Sequence, residues 1–407
     1  MSALRILHVA PYFENAWAYG GIPRVVSAQV HALAAAGHQV TVATSDVRDA
    51  AGRIGTADGP PSSRFVPRVE RTADGIEVRV FPNVSNAIAY RWQFYVPLGF
   101  ARALRTSVSQ YDVAHLHACH NLLTAAAAKR LRRAGVPYVV QPNGTARRIE
   151  GRLAAKRVFD VLFERDVLPN ASRIIAVTEW ERRQLESDAG RNGRSKVAVV
   201  PNPLAPVPSC PPPERGAFRR RYGLTDGPLL MYLGMLSPRK QPDVLARAAA
   251  ALKREDVQLV FAGNDMGAAR QARKAVSRLG LDARTRFTGL VTGPSRYLAL
   301  ADADIVVYPS RDEAFGLVPL EALQVGTPVI VCNDSGCGEI VSAIGGGLLV
   351  PPGDAAALSS AIAEMLADLP RWRAGAARAG AEASRRFHPD TVAAQLETVY
   401  REAIARR

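Results

Sequence analysis

The sequence predicts an α/β protein of two domains, each built on a parallel β-sheet with helices on both faces. Short apolar, strand-like runs alternate with Ala- and Leu-rich helical segments along both halves of the 407-residue chain, which is the pattern of βαβ units. Between the halves, seven prolines fall within residues 201–213. A segment of this composition can enter neither a helix nor a central strand, so we interpret it as a stiff linker.

The first half is predicted to begin with a strand at 6–10, followed by a loop and a helix at 22–36. Residues 46–79 are rich in Gly, Pro, Arg and Asp and predict a long loop or a hairpin. The aromatic segment 89–97 either packs as core or lines a binding groove. The other strands of this half are predicted at 39–43, 113–116, 138–141, 174–177 and 197–200, and the other helices at 122–134 and 152–168.

The alternation restarts after Pro228. We therefore predict domains at 1–200 and 228–388, a linker at 201–227 and a separate terminal helix within 389–407. The strands of the second half are predicted at 229–233, 258–262, 286–289, 304–308, 328–331 and 347–350, and its helices at 242–252, 268–279, 356–366 and 389–404.

The composition is that of a globular protein with a large core, because 48% of the residues are hydrophobic and 22% are charged. Cys332 and Cys337 are close together but have no histidine beside them, so we expect free thiols in a reducing cytoplasm and no structural zinc. The first residues predict a strand rather than a signal peptide, and no apolar stretch approaches the roughly 20 residues that span a bilayer. We expect a cytoplasmic protein, either soluble or peripheral on the inner membrane face.

The net charge of +15 and the pI of about 10.1 favour an anionic partner, which could be a membrane surface, a nucleic acid or a phosphorylated substrate. Basic residues concentrate between Lys129 and Arg157, although arginine on an ordinary solvated surface explains them equally well. No nucleic-acid-binding motif accompanies the charge, and aromatic residues do not interleave with it. We therefore do not expect a nucleic-acid partner.

Two glutamates eight residues apart, Glu313 and Glu321, give the strongest functional signal. Glu313 follows the predicted strand 304–308, and Glu321 lies in an apolar helix that is predicted to begin at Gly316. A carboxylate among apolar side chains is costly to bury without hydrogen-bond donors, and sugar hydroxyls are such donors. Phe315 and Gly316 would direct backbone N–H groups towards a phosphate. A polyol and a phosphate at one loop indicate a nucleotide-sugar, whereas the alternative is a loop carboxylate and a solvated helix residue.

Two loops of the first half also carry candidate residues. Gly20 and Gly21 precede the predicted helix 22–36, so a ligand diphosphate could approach the backbone at the helix N-terminus, although the pair could also form a simple turn. His115 and His117 share one face of a strand, and His117 lies at its C-terminal end, where a cleft should open. The alternative is a histidine that is hydrogen-bonded in the interior. A zinc role would need further ligands, which we do not find in the sequence.

These features resemble the retaining glycosyltransferases of family 4, which have the two-domain GT-B fold. The resemblance rests on the E-x7-E element from Glu313 to Glu321, the glycine-rich first loop, Lys240 and the stretch 287–291. It implies two Rossmann-like domains with parallel sheets that face each other across a cleft, and a last helix that crosses back to the N-terminal domain. It also implies a hexosyltransferase that needs no metal or other cofactor beyond its nucleotide-sugar substrate.

The resemblance implies a role for each candidate residue. Lys240 would clamp the leaving diphosphate, and His117 would orient the donor sugar. Glu313 would hold the sugar hydroxyls and Glu321 the ribose. The remaining donor-binding residues implied by the family are Gly20, Gly21, Arg24, Arg239, Leu290, Phe315, Gly316 and Leu317.

Met235 departs from the family pattern, which has an arginine directly after the glycine that corresponds to Gly234. Methionine carries no charge and donates no hydrogen bond, and the loss of one charge-assisted contact costs about 1.5–3 kcal/mol. We hypothesise that Arg239 or Arg24 supplies the missing charge. The departure is also compatible with a slow or inactive enzyme.

Two further patterns have simpler explanations than function. Asp302 and Asp304 have the spacing of a D-x-D metal motif, but they precede a buried strand, and we expect them to cap the preceding helix and enter the turn. The stretch from Gly336 to Glu339 resembles the family's Gly-Gly-x-x-Glu loosely, and a turn into the next helix explains it as well.

The resemblance implies sugar transfer, with retained anomeric configuration, from a nucleotide-diphosphate donor to an acceptor hydroxyl. Family habit and the basic charge favour a lipid-linked or other glycan acceptor in bacterial surface-polysaccharide assembly. The alternatives are a catalytically silent nucleotide-sugar-binding scaffold, another GT-B enzyme such as a nucleotide-sugar epimerase or a phosphorylase, and a nucleic-acid-binding protein that the pI alone suggests.

Overall fold

A computed structural model describes residues 2–49, 52–54, 67–92, 94–146, 165–188, 194–208 and 216–406. The chain divides into two compact units. The first contains the residues up to Pro203 together with Pro389–Arg407, and the second is Leu204–His388. The terminal helix therefore returns to the first unit.

The first unit is built on an eight-stranded sheet with the order β3-β4-β2-β1-β5-β6-β7-β8. All neighbouring strands are parallel except β3, which pairs antiparallel with β4 at the edge. The central strands are buried on both faces, as expected for a parallel sheet between helices. Strands β1 to β8 are Arg5–Ala10, Gln39–Ser45, Arg68–Arg71, Glu77–Phe81, Val113–His117, Tyr138–Gln141, Arg173–Ala176 and Val197–Val199.

The helices of this unit begin and end at residues suited to those positions. Pro23 occupies the first turn of the first helix. At the start of the helix Leu122–Ala134, the side chain of Asn121 accepts the N–H of Thr124 at 2.9 Å, and Gly135, in the left-handed conformation, ends this helix. Helices α1 to α5 are Ile22–Ala35, Asn86–Trp92, Phe100–Ser107, Leu122–Ala134 and Glu179–Asp188, and the terminal helix, α14, is Pro389–Ala405.

Three predictions for the first half can be compared with these elements. Within the segment predicted as a long loop or a hairpin, β3 and β4 form a hairpin whose turn is closed by the N–H of Gly75 donating to the carbonyl of Thr72 at 3.0 Å. In the aromatic segment, Tyr95 is buried whereas Phe94 is exposed. Most of the predicted helix 152–168 lies outside the described residues.

The second unit contains a six-stranded, fully parallel sheet with the order β11-β10-β9-β12-β13-β14. Consecutive strands therefore run outwards from β9 on one side and from β12 on the other. Its strands, β9 to β14, are Leu229–Leu233, Gln258–Ala262, Thr285–Gly289, Ile305–Tyr308, Val329–Cys332 and Gly347–Val350. Its helices, α6 to α13, are Ala217–Tyr222, Pro242–Ala251, Ala269–Arg278, Pro294–Asp302, Leu317–Gln324, Gly336–Ile344, Ala355–Ala367 and Leu369–Arg386.

The segment predicted as a linker is in part an integral piece of the second unit. It contains α6, and the carboxylate of Asp302 accepts the N–H groups of Gly216 at 2.5 Å and Phe218 at 2.8 Å at the start of this helix. Asp304 accepts the N–H of Leu229 at 2.8 Å and pairs with two arginines. Asp302 thus caps α6 rather than the helix that precedes it, and both carboxylates of the D-x-D pattern are engaged in structural bonds.

Helix α13 was not predicted, because its Ala-, Gly- and Arg-rich sequence lacks a stripe of large apolar residues. Its small side chains instead allow close packing against α10. A methyl group at Gly380 would lie 2.0 Å from the carbonyl oxygen of Leu323. The helices can therefore approach each other only with glycine at this position.

The buried carboxyl group of Glu181, in α5, gives a testable pH dependence. It accepts the N–H groups of Gly144 at 2.6 Å and Val177 at 2.8 Å, but burial outweighs these bonds and raises its pKa to about 7. The folded state therefore holds a proton that the unfolded state releases above its lower pKa of 4.5. This contribution to stability is complete below pH 4.5 and is lost as the pH rises through 7, which amounts to about 3 kcal/mol.

Glu181→Gln should remove this dependence. We expect the free energy of unfolding of the wild type, relative to that of the variant, to fall between pH 5 and pH 8 in urea titrations. The difference between the two unfolding free energies removes the contribution of the other titrating groups, which the two proteins share. Parallel curves for the two proteins would show that the carboxyl group does not hold the proton.

Candidate functional site

The candidate site of the second unit lies where the strand order of its sheet reverses. Strands β9 and β12 are parallel neighbours, and the loops that follow them leave the same edge of the sheet. Open α/β sheets bind ligands in the crevice at such a point, because the connections diverge to opposite faces. Lys240 follows β9 and Glu313 follows β12, so two residues 73 positions apart in the sequence meet at this edge.

Glu313 is held by four donors, all of which reach its Oε2 atom. The ammonium group of Lys240 pairs with it directly. The hydroxyl of Ser310 donates at 3.0 Å, that of Tyr308 at 3.2 Å, and a guanidinium nitrogen of Arg239 lies at 3.5 Å. Lys240 also donates to the hydroxyl of Tyr308 and lies 4.5 Å from the centre of its ring.

The charges of this cluster sustain one another despite their burial. Burial raises the pKa of Glu313, but Lys240 and then Arg239 outweigh it and hold the value at about 2. Burial lowers the pKa of Lys240, and Glu313 opposes that effect. Glu313 is therefore ionised at every physiological pH and can accept hydrogen bonds from hydroxyl groups.

Arg239 supplies a second cation beside Lys240 in this cluster. One nitrogen of its guanidinium lies 3.1 Å from the carbonyl of Asp312 as well as near Glu313. Met235 is partly buried, and its carbonyl accepts the hydroxyl of Tyr232 at 2.7 Å. Of the two arginines considered as substitutes for the family arginine, Arg239 is thus part of the Lys240–Glu313 cluster. Arg24 belongs to the first unit.

Gly316 shapes the backbone in front of α10, which begins at Leu317 and not at the glycine itself. Its φ of 82° lies in the left-handed region. A methyl group at this position would lie 2.4 Å from the Sγ atom of Cys337, whose N–H donates to the carbonyl of Glu313 at 2.9 Å. Phe315 is buried. The N–H groups of the first turn, including that of Leu317, have no partners within the helix and can meet a phosphate.

Gly316→Ala should destabilise the protein more than the matched change Gly326→Ala. Gly326 has a similar φ of 76° but no atom within 4 Å of the added methyl group. Both variants lose about 1–2 kcal/mol from backbone conformation, and Gly316→Ala adds the clash with Cys337. Urea unfolding measures the difference, and Gly316→Ala with Cys337→Ala should recover part of it. Equal losses in the two single variants would contradict this explanation.

Glu321 is buried rather than solvated, which excludes the alternative of a helix residue in water. Its Oε2 atom pairs with the guanidinium group of Arg296 in α9, which is also buried. No pattern in the sequence pointed to Arg296. Leu290, the remaining donor-binding candidate of this unit, directly follows β11 and is 46% exposed. The structure therefore separates a charged cluster at Glu313 from a buried ion pair at Glu321.

The glycine-rich loop of the first unit follows β1. Gly20 has a φ of 92°, which favours glycine, and Gly21 caps α1. The carbonyl of Gly21 accepts the N–H of Arg24 at 3.1 Å, which places Arg24 in the first helical turn. In this unit too the strand order reverses beside β1, because β2 and β5 lie on its two sides.

His117 is fully buried and bonded to His8, a histidine outside the motif that singled out His117. Its Nε2 atom lies 2.9 Å from Nδ1 of His8 in β1, and Nδ1 of His115 lies 2.7 Å from the hydroxyl of Tyr400. His115 and His117 share one face, with ring centres 4.1 Å apart. Burial lowers the pKa of His8 to about 3 and that of His117 well below its ordinary value, so both imidazoles are neutral. The arrangement favours the interior interpretation of His117.

Two further imidazoles, which the sequence did not reveal, lie close to His117. Ring nitrogens of His8, His115 and His117 lie within 4.8 Å of one another and form, among the described residues, a group that could hold a metal ion. The group contains no carboxylate to balance the charge of a buried divalent ion, and two of its nitrogens already share a hydrogen bond. His120 lies apart and contacts the carbonyl of Ala146 at 3.2 Å.

The stretch that resembles Gly-Gly-x-x-Glu lies at the beginning of α11, with Ser335 at the cap position. A turn into the next helix therefore accounts for this stretch. Gly338 packs tightly, since an added methyl group would lie 2.4 Å from the carbonyl oxygen of Cys332.

Both halves of the chain match models of known protein families. Residues 214–381 match glycosyl transferases group 1, and residues 20–203 match the glycosyl transferase 4-like domain. The D-inositol 3-phosphate glycosyltransferase of Acidothermus cellulolyticus is 30% identical over 404 residues, which cover 95% of this chain and 87% of that protein. Two similar proteins of the same name, from Nocardia farcinica and Salinispora tropica, are 35% and 32% identical; the matches cover 54% and 75% of this chain but only 51% and 66% of those proteins.

Solved structures of other proteins share the fold. Sucrose-phosphate synthase from Thermosynechococcus elongatus superposes with a TM-score of 0.77 at 22% identity, covering 99% of this chain and 100% of that one. Anabaena HepE in complex with UDP and glucose gives 0.73 at 20% identity, covering 97% and 98%. The predicted GT-B fold is thereby confirmed. None of the helices in the described residues is long and apolar enough to cross a bilayer.

Proposed function

The chain belongs to the GT-B glycosyltransferases, with a family 4-like first domain and a group 1 second domain, and we propose that it transfers a sugar from a nucleotide-diphosphate donor to an acceptor hydroxyl with retained configuration. The observation that carries this proposal is the ion pair between buried Lys240 and partly buried Glu313 at the reversal point of the second sheet. It combines a cation for phosphate with a carboxylate for sugar hydroxyls.

The two parts of the donor would bind to groups of opposite charge, the diphosphate to cations and N–H groups and the sugar to a carboxylate. Lys240, Arg239 and the first-turn N–H groups of α10 would stabilise the negative charge that develops on the leaving diphosphate. Glu313 would accept hydrogen bonds from the sugar. The bond from the anomeric carbon to the diphosphate breaks, the acceptor oxygen forms the new bond on the same face, and a phosphate oxygen takes the acceptor proton. No step requires a metal ion, and closure around the donor would limit hydrolysis.

Two of the predicted contacts involve buried side chains. Glu321 would accept a ribose hydroxyl while it stays paired with Arg296, which balances its charge. His117 would orient the donor sugar through Nδ1, a buried atom without a hydrogen-bond partner among the described residues. Since His117 has no exposed surface, this contact requires local opening on binding. In the first unit, Gly20, Gly21 and Arg24 would approach the diphosphate.

We propose an acceptor that carries phosphate, since the net charge is +15. Two sources have this chemistry. One is a lipid-diphosphate-linked glycan at the inner membrane face, as in bacterial surface-polysaccharide assembly. The other is an inositol phosphate, which the names of the curated relatives suggest. Sedimentation with anionic vesicles at low and high salt separates the two, because a lipid-linked acceptor calls for salt-sensitive vesicle binding by a cytoplasmic, peripheral protein.

A transfer assay tests the proposal. The wild-type chain is incubated with UDP-glucose, UDP-N-acetylglucosamine, GDP-mannose or ADP-glucose, and with inositol phosphate or a lipid-diphosphate acceptor. We expect one donor to raise the melting temperature and to give a product whose anomeric coupling in NMR matches that of the donor. Inverted product would contradict the retaining mechanism, and isomerised donor without acceptor would indicate an epimerase.

Met235 keeps a second candidate open, a scaffold that binds nucleotide-sugar without turnover. This function would give a donor-dependent rise in melting temperature but no transfer to either acceptor. In the producing organism, Glu313→Ala would then leave the glycan products unchanged. Transfer by the purified wild type, with Met235 in place, would exclude it.

A further inference from the structure

The two oxygens of the Glu313 carboxylate have different surroundings. Oε2 receives Lys240, Arg239, Tyr308 and Ser310. No donor from the described part of the chain reaches Oε1. A carboxylate offers about four acceptor positions over its two oxygens. The carboxylate itself therefore does not require all donors to meet at Oε2, and it is the geometry of this loop that brings them there.

We propose that Ser310 and Tyr308 are positioning residues that, together with Lys240, fix Glu313 by Oε2 and leave Oε1 as the acceptor for one hydroxyl of the donor sugar. The proposal rests on the proposed function and extends it, because it names two further residues and the atom that accepts the hydrogen bond of the sugar hydroxyl. It also makes sugar recognition depend on a hydroxyl that donates a hydrogen bond.

The hydroxyl of Tyr308 connects the two charged groups of the cluster. It accepts from the ammonium of Lys240 and donates its own hydrogen to Glu313. Burial raises the pKa of Tyr308 well above its ordinary value, so the hydroxyl stays protonated and remains a donor. Because Tyr308 is the last residue of β12, the sheet itself fixes this bridge.

Ser310 differs from Tyr308 in what it supports. Its hydroxyl contacts Oε2 of Glu313 and, more distantly, the carbonyl of Arg311 at 3.4 Å, and neither contact is to a cation. Ser310 therefore acts on the sugar-binding carboxylate alone, whereas Tyr308 acts on the carboxylate and on Lys240. The two residues should consequently have separable kinetic effects.

Glutamine at position 313 should not imitate glutamate. Its NH₂ group cannot replace Oε2, which faces four donors, so the amide would turn its NH₂ group to the position of Oε1. A donor would then stand where the sugar needs an acceptor. Glu313→Gln should therefore lose at least as much donor kcat/KM as Ser310→Ala.

The test compares Ser310→Ala and Tyr308→Phe with two matched controls that lie outside the site. Ser359→Ala removes a buried hydroxyl from α12, and Tyr138→Phe removes a buried hydroxyl that donates to the carbonyl of Val167 at 2.7 Å. The donor is the nucleotide-sugar that the wild type uses best in the assay above. Titration calorimetry with the corresponding nucleoside diphosphate measures how tightly the site binds the diphosphate part of the donor.

We expect Ser310→Ala to lower donor kcat/KM about ten- to a hundredfold while nucleoside-diphosphate affinity stays within about twofold of the wild type. Ser310→Thr, which keeps the hydroxyl, should recover most of the activity. Tyr308→Phe should lower both quantities. The wild type should also discriminate against a donor in which fluorine replaces the recognised hydroxyl, because fluorine does not donate a hydrogen bond.

Two results would overturn the inference. One is a Ser310→Ala protein that is as active as the Ser359→Ala control. The other is a loss of nucleoside-diphosphate affinity in Ser310→Ala that equals its loss of transfer, because Ser310 would then act on the diphosphate and not on the sugar. A wild type without transfer would instead contradict the proposed function, so the two failures can be told apart.

Discussion

Glu313→Ala is expected to abolish measurable sugar transfer and to destabilise the protein. The variant loses the acceptor for the sugar and leaves Lys240, which is 5% exposed, as a buried cation without its carboxylate. Breaking a buried ion pair by removing one partner costs about 3–5 kcal/mol. The loss of transition-state contacts should lower kcat/KM by at least about 10²- to 10³-fold. Transfer assays and urea unfolding measure the two effects.

A surface glutamate of the same unit provides the control. Glu364→Ala, at an exposed position in α12, should leave both activity and unfolding unchanged. Transfer by Glu313→Ala at a rate close to that of this control would show that the carboxylate neither binds the sugar nor stabilises the cluster.

Lys240→Met is expected to reverse the pH dependence of stability that Glu313 contributes. In the wild type the pKa of Glu313 is about 2, below its ordinary 4.5, so its contribution is complete above pH 4.5 and is lost as the pH falls through 2. Burial is already the largest single influence on the pKa of Glu313 and raises it. Without Lys240, only Arg239 and Ser310 oppose burial, so we expect the pKa to rise above 4.5. The variant should then lose stability as the pH rises, because burying the charged carboxylate becomes costly.

Activity and a double variant complete this prediction. Lys240→Met should lower kcat/KM about 10²- to 10³-fold, since the diphosphate loses its cation. Lys274→Met, at an exposed position in α8, serves as the control. Adding Glu313→Leu to Lys240→Met should recover stability, because a buried apolar pair avoids the cost of charge. A double variant less stable than Lys240→Met would contradict the account of the pair.

The fold was predictable wherever strands are buried on both faces. Strand β9 reads as an uninterrupted apolar run, and its predicted bounds agree with the structure. Strand β3, Arg68–Arg71, has three charged residues out of four and is mostly exposed at the sheet edge, so its sequence has no apolar pattern that predicts a strand. Pairing with β4, which only the folded chain supplies, makes it a strand.

The site was predictable to the extent that it follows from loops next to strand ends. Lys240 and Glu313 could be expected to meet, because they follow strands that a reversal of strand order makes neighbours. Arg296 could not, since its pairing with Glu321 depends on how α9 packs against α10. His8 joins the two other histidines because the first and fifth strands pair with His8 opposite His115. That register was not apparent from the residue types alone.

The most direct measurement is a crystal structure of the chain with its best nucleotide-sugar. The account predicts that a hydroxyl of the sugar lies within about 3 Å of Oε1 of Glu313 and that Lys240 contacts the diphosphate. A nucleotide-sugar bound away from the loops after β9 and β12, with the Lys240–Glu313 pair untouched, would contradict it.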